Sequence, residues 1–373
     1  MSRACLLVTP KGGKMKQLLL TTAFLGLSAT LAQAAAIERT FTSFSILFEE
    51  GRYVELSLGT VNLDSSGRLN GLPISTGGGV MGNFNTYILG LKYPVTPDLD
   101  VAVVLDQPVG ADVSYPSDSF YPLAGTRAKV RSHGATLMAR YKFNENFSIY
   151  GGLRVLRTSG HVNLNTPRFT YGMQTDTETD LGWLAGVAYE IPEYAVRVAL
   201  TYTSPIDHDF GARDTFMGDT QFTTTIPKSV QLEFQTGIAP DWLAFGSIRW
   251  VEWSKFDISP PAYDAVTGGP LVGYEDDTTT VVVGIGHKFN ETWSGAVLFG
   301  YETAMDGYSS NLGPPNGRRS IGLAGTYTHG PMKVTAGLSY LDMRDSETNI
   351  GGAYTATFNQ KGLLAAMKVG YAF

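Results

Sequence analysis

The chain has 373 residues, a formal charge of −6, and 43% hydrophobic against 17% charged residues; it is long enough for one large domain or two, and too acidic for a surface that binds nucleic acid. Its one cysteine, Cys5, lies near the start, which leaves the body of the chain without disulfides or thiol chemistry. Beyond the first 34 residues, no stretch approaches the 18 or so consecutive apolar residues of a membrane helix.

In chain order, Lys14 and Lys16 precede "LLLTTAFLGLSATLAQA", which ends in Ala32, Gln33 and Ala34. A basic lead, a short apolar core broken by Thr, Ser and Gly, and a small-residue cleavage site make residues 1–34 a secretory signal peptide, with Met15 as an alternative start. Cleavage after Ala34 removes four basic residues (Arg3, Lys11, Lys14, Lys16) and no acidic ones, which takes the formal charge from −6 to −10. Residues 35–52 follow as a short N-terminal segment with an apolar cluster at Phe44, Ile46, Leu47 and Phe48.

From residue 53 the pattern has period two. Phe147, Ile149, Gly151, Leu153 and Val155 alternate with Ser148, Tyr150, Gly152 and Arg154; Trp293, Gly295, Val297, Phe299 and Tyr301 alternate with Ser294, Ala296, Leu298 and Gly300. Such runs are strands with one apolar face and one small or polar face. Short turns stand at 95–99, 143–147, 191–194, 238–242, 289–293 and 329–331, and all but the last place Pro or Asn beside an acidic residue. Long polar loops are expected at 61–83, 107–129, 161–177, 204–227, 254–275, 302–316 and 342–359. Short and long connections alternate strictly.

This count gives about fourteen strands, each near the length that crosses a bilayer when tilted. A soluble sandwich has no reason to sort its connections by length. An outer-membrane barrel does, with short periplasmic turns and long external loops. The fold class is therefore all-β, a transmembrane antiparallel up-and-down barrel over residues 53–373, with Phe143, Phe147, Tyr194, Trp242, Phe289 and Trp293 as an inner aromatic girdle. The closing "LLAAMKVGYAF" places Val369, Tyr371 and Phe373 on one face of the last strand. That ending resembles the signal read by the bacterial outer-membrane assembly machinery.

Inward positions are mostly small, with charges at Arg140, Lys142, Arg154, Arg249, Lys288 and Lys368 that are expected to pair with luminal Asp or Glu. A lumen of this width must hold water, a plug or a ligand path. Asp207, His208, Asp209, Asp214 and Asp219 cluster within 206–219, yet no nucleophile, base and orienting group stand at a meaningful spacing; no catalytic residue, cofactor or metal is assigned. Apolar residues in loop positions, Phe169, Tyr171, Met173, Phe210, Phe216, Met217 and Phe222, are the candidates for ligand binding. They could equally pack only against each other.

Four stretches carry a family resemblance: "IPKSVQLEFQTGIAPDWLAFGSIRWVEWSKF" (226–256), "GHKFNETWSGAVLFGYE" (286–302), "GTVNLDSSG" (59–67) and "DQPVGADVSYP" (106–116). Together they are similar to the FadL/TodX family of outer-membrane channels for long-chain fatty acids and aromatic hydrocarbons. The resemblance implies passive uptake of hydrophobic molecules, an N-terminal hatch, and lateral release at a kinked third strand, for which Pro108 and Gly110 are the candidates. It also casts Phe44, Ile46, Leu47 and Phe48 as a reduced plug, since the family's Asn-Pro-Ala hatch motif is missing; the alternative is a more open barrel. Loops matching the family's ligand-capturing ones are short. The expected partners are the outer-membrane bilayer, hydrophobic small molecules and the assembly machinery, with the protein itself a monomer. The competing functions are a general diffusion porin for polar solutes and an adhesion or structural barrel.

Overall fold

Successive side chains of an extended chain point to opposite faces, so each period-two run can put one apolar face toward hydrocarbon. In the computed structural model, which describes residues 37–40, 44–314 and 316–373, eighteen strand segments join one sheet. The signal-peptide expectation lies outside these residues. The segments are β1 (Tyr53–Leu69), β2 (Phe84–Pro94), β3 (Leu99–Asp106), β4 (Gly110–Ser114), β5 (Arg127–Lys142), β6 (Phe147–Asn165), β7 (Thr170–Thr175), β8 (Glu178–Ile191), β9 (Val196–Thr203) and β10 (Ile206–Asp214). After them come β11 (Gly218–Ile226), β12 (Ser229–Ala239), β13 (Trp242–Val251), a small separate pair β14 (Asp257–Ile258) and β15 (Val272–Gly273), then β16 (Thr278–Lys288), β17 (Trp293–Glu302), β18 (Asn316–His329), β19 (Met332–Ile350) and β20 (Tyr354–Ala372). β3 continues into β4, β7 into β8, β9 into β10 and β11 into β12, so the wall has fourteen staves, as expected.

The sheet closes. β1 pairs with β2 on one side and with β20 on the other, from Tyr53 opposite Ala372 to Leu69 opposite Ala356. The Phe373 N–H donates to the Arg52 carbonyl at 3.0 Å. Closure matters because hydrocarbon offers backbone groups no partner, and a ring has no edge. Among the described residues no helix is long and apolar enough to cross a membrane; the strands do so. Leu58, Leu91, Leu153, Val283, Leu323 and Leu338 stand exposed on the outer face, and the six girdle aromatics are all exposed at the turn end.

Two of the turns share one device. Asn144 Oδ1 accepts from the Asn146 and Phe147 N–H groups at 2.9 and 2.8 Å, and Asn290 Oδ1 accepts from those of Thr292 and Trp293 at the same two distances. Each side chain thereby stands in for a backbone turn bond. Asn290→Ala is expected to lower unfolding free energy by about 1 to 2 kcal/mol. The urea midpoint of the protein refolded into lipid vesicles measures it, and an unchanged midpoint would contradict this account.

Loop boundaries move outward from the sequence expectation. Most of 204–227 is the β10/β11 hairpin, 342–359 is largely the ends of β19 and β20, and 161–177 carries the end of β6 and all of β7. These extensions rise above the membrane. There the outer face meets water and turns polar, so the apolar alternation that marks a strand in hydrocarbon disappears.

Inward charges pair as expected: Lys142 with Asp100 (3.1 Å), Arg249 with Glu38 (2.7 Å), Lys368 with Glu55 (3.1 Å) and Arg140 with Glu190. Lys288 instead pairs with Glu291 of its own turn.

Candidate ligand pathway

β2 and β3 pair from Pro94 opposite Asp100 up to Leu89 opposite Leu105. Pairing then stops. It resumes only at Met81 opposite Val113, where Gly82 N–H donates to Asp112 O at 2.8 Å. No ladder pair joins 84–88 to 106–110, and this stretch of wall is a gap. Pro108 lies in the break between β3 and β4, and Gly110 is the first residue of β4. Pro cannot donate to a ladder, and a side chain on Gly110 would press on Arg39 at 2.9 Å.

The displaced segment finds partners inside the barrel. Gly110 N–H donates to Ile37 O at 2.7 Å, and Arg39 N–H to Pro108 O at 2.9 Å. Glu38 bridges to Val109. On the wall side, Ser132 Oγ accepts from Val109 N–H and donates to Val109 O, at 2.9 and 2.6 Å. Residues 37–39 thus form a strap that satisfies the backbone groups the neighbouring stave has given up, as burial requires. Two side chains anchor it: the Glu38 carboxylate on Arg249, and the Arg39 guanidinium, 3.8 Å above the Phe84 ring at the gap's upper lip.

Above the strap lies a cavity of about 60 Å³ whose accessible lining is almost wholly apolar. Ile37, Val109, Ala111, Phe210, Phe222 and Phe256 are among its lining residues. Of the sequence candidates, Met173, Phe210 and Phe222 line this cavity. Phe169, Tyr171 and Phe216 form an adjoining ring cluster, with Tyr171 and Phe216 centroids 4.9 Å apart. Met217 stands exposed at the β10/β11 tip. Sequence reading missed Ile37, Val109, Ala111 and Phe256; it also missed Tyr263 of α1 (Pro261–Thr267), which packs 5.1 Å from Tyr171. The resembling stretch 226–256, which ends on Phe256, was the one signal pointing at that residue.

Three buried tyrosines of the external loops keep their phenols neutral. Burial raises the phenol pKa values of Tyr263 and Tyr274, and burial pushes that of Tyr121 up to about 12 despite an opposing hydrogen bond from Thr348. Beneath them the acidic run 206–219 is pulled apart by strand alternation. Asp207 and Asp209 bind Thr225 and Thr223, each at 2.6 Å. His208 is fully buried between Asp180 (2.6 Å) and Thr158 (3.2 Å). Asp214 instead caps its turn, and Asp219 faces Arg213 in solvent. Among the described residues no group of three His, Cys, Asp or Glu could hold a metal ion.

Below the strap, near the periplasmic turns, Ser45–Phe48 forms one 3₁₀ turn inside the barrel. Phe44, Ile46 and Leu47 are buried against Ile88, Val104, Met138 and Leu184. Gly90 leaves the room that Ile46 occupies. Phe48 lies between two guanidinium groups, Arg140 at 4.2 Å and Arg197 at 4.5 Å, with Tyr150 edge-on at 5.9 Å. Arg140 and Lys92 also donate to the Leu47 and Glu49 carbonyls at 3.2 and 2.5 Å. At the end of the chain, Tyr371 and Phe373 stack 6.4 Å apart on the outer face, with Val369 opposite Leu56.

The family described as outer membrane protein transport protein (OMPP1/FadL/TodX) matches residues 78–373. The chain belongs to this family. Its barrel accordingly lies in the bacterial outer membrane, and the family is one of transport proteins rather than enzymes. The long-chain fatty acid transport protein of Escherichia coli is 23% identical over 217 residues, 51% of this chain and 45% of that protein; the match thus spans less than half of the relative. Similar solved structures are a FadL homologue of Pseudomonas aeruginosa (TM-score 0.77, 15% identity, 95% of this chain and 98% of that one) and the Pseudomonas putida toluene transporter TodX (0.64, 11%, 93% and 98%). A third is the Ralstonia pickettii toluene transporter TbuX (0.61, 13%, 92% and 97%). At these identities the likeness is one of fold, and it covers nearly the whole barrel.

Proposed function

We propose that this protein is a passive conduit for hydrophobic small molecules, of the kind carried by the family members named for fatty acids and toluene. Cargo settles in the apolar cavity beneath the loops and leaves sideways through the gap between β2 and β3–β4. The observation that carries this reading is that Val109 and Ala111 belong to the interrupted stave and also line the cavity. Cavity and gap share one wall. Sideways exit suits apolar cargo, because releasing about 300 Å² of apolar surface into periplasmic water would cost about 7 kcal/mol. The cavity is small in this state, so an elongated molecule must displace the Ile37 strap or the roofing rings.

What counts against a porin is the filling of the lower lumen by Phe44, Ile46, Leu47 and the arginine-clamped Phe48, which would block a water-filled path. Reconstitution tests the proposal: the barrel is expected to speed the uptake of a fluorescent fatty acid or of toluene into lipid vesicles while passing little ionic current. Large steady conductance without faster uptake would overturn it in favour of the porin. If neither is seen, the adhesion reading gains.

A further inference from the structure

The gap has an outer face as well as an inner one, and two side chains meet across it. Tyr87 of β2 and His133 of β5 are not neighbours in the sheet. Below the gap β3 lies between their strands, pairing with both, so the two strands are about 9.6 Å apart. Only where the middle stave is drawn inward at 107–109 can side chains on either side touch. The Tyr87 hydroxyl and His133 Nδ1 are 3.1 Å apart there, with the rings stacked at 6.5 Å and 30°.

The pair lies in the outer half of the apolar band. On β5, His133 is eight residues above Tyr141 of the inner rim, and on β2 Tyr87 is six above Tyr93; at strand rise and barrel tilt this is about 15 to 20 Å up a band of about 25 Å. Leu89, Leu105 and Leu137 beside them are exposed and apolar. A phenol and an imidazole facing hydrocarbon each need a partner, and each finds it in the other.

We propose that Tyr87 and His133 form the outer bolt of the lateral exit, positioning residues that bar the gap on its bilayer side until cargo parts them. The strap closes the same gap from within, so cargo leaving the cavity passes between the two. This rests on the lateral-release reading above. The bolt needs no energy source, since parting it breaks one hydrogen bond and one ring contact, which the cargo's own transfer into lipid can offset. Opening is therefore reversible and limits exit rate rather than affinity.

No cysteine lies beyond Cys5, which permits a direct test. Tyr87→Cys with His133→Cys, bridged by a short bis-methanethiosulfonate reagent, is expected to stop fluorescent fatty acid exit into vesicle lipid while leaving its binding in the cavity intact; reduction should restore exit. Tyr87→Phe, which keeps the ring and loses the hydrogen bond, should speed exit about threefold or more. A bridged protein, verified by mass, that exports as fast as the reduced one overturns the bolt. So does a Tyr87→Phe variant that merely unfolds at lower urea without faster exit, since that marks a structural tie. If the unaltered barrel speeds no uptake at all, conduit and bolt fall together; transport that persists through the bridge removes the bolt alone.

Discussion

Replacing Phe44, Ile46, Leu47 and Phe48 together with serine is expected to convert a barrel of low conductance into one that passes ions in large, stable steps in a planar bilayer. These four side chains fill the lumen around the 3₁₀ turn, which Arg140 and Lys92 also hold through the Leu47 and Glu49 carbonyls. Burial of each is worth about 1.5 to 3 kcal/mol, and Phe48 adds two cation–π contacts of up to about 2 kcal/mol each where water is excluded. Serine removes both terms and leaves hydroxyl groups that water can solvate. The wall does not depend on the turn, because its closure runs through the β1–β20 register. Folded protein should therefore still migrate as a compact barrel in a cold detergent gel. Unchanged conductance in such folded protein would mean that the lumen is closed by something other than this segment.

The second large effect concerns the cavity. Val109→Trp fills the space that cargo needs without asking the wall to change, because Val109 is held by backbone bonds to Ser132 and to the strap. Overpacking would cost about 1 to 3 kcal/mol of stability. Uptake of fluorescent fatty acid should fall at least tenfold, with current still low. Met217→Ala, at an exposed tip, should leave uptake within about twofold of the original. Equal uptake by the Val109→Trp protein would show that cargo bypasses the cavity.

The barrel could be read from the sequence because its signals are local. Alternation over eight or nine residues, Asn or Pro beside an acid in the turns, and an aromatic at four of the six returns are visible within short windows, and they record the demands of hydrocarbon on each stave separately. The pathway could not be read in the same way. Ile37, Val109, Phe210 and Phe256 lie far apart in the chain and meet only because the ring closes and the third stave bends inward. Met173, Phe210 and Phe222 stood out as apolar residues in two expected loops, but those stretches are strands β7, β10 and β11, and it was strand alternation that turned them inward. The same alternation dispersed the acidic run: Asp207 and Asp209 point one way, His208 the other. For Tyr87 and His133 a faint signal existed, two polar side chains on a face otherwise given to leucine. Nothing local said that they touch.

The offset between β2 and its neighbour is the same below the gap, where Leu89 faces Leu105, as above it, where Met81 faces Val113. On its other side the same stave is not in one register: Asp106 faces Gly134, but Gly110 faces Arg131, which leaves one extra residue between them. The inward set changes with it, from Ala102, Val104 and Asp106 to Val109, Ala111 and Val113, the change of face that a one-residue offset imposes. The breach is thus built around a bulge, and a bulge bends its strand. Drawing 107–109 back into line beside Tyr87 would still leave that odd residue unmatched against β5, so the opening is woven into the ring rather than torn in it.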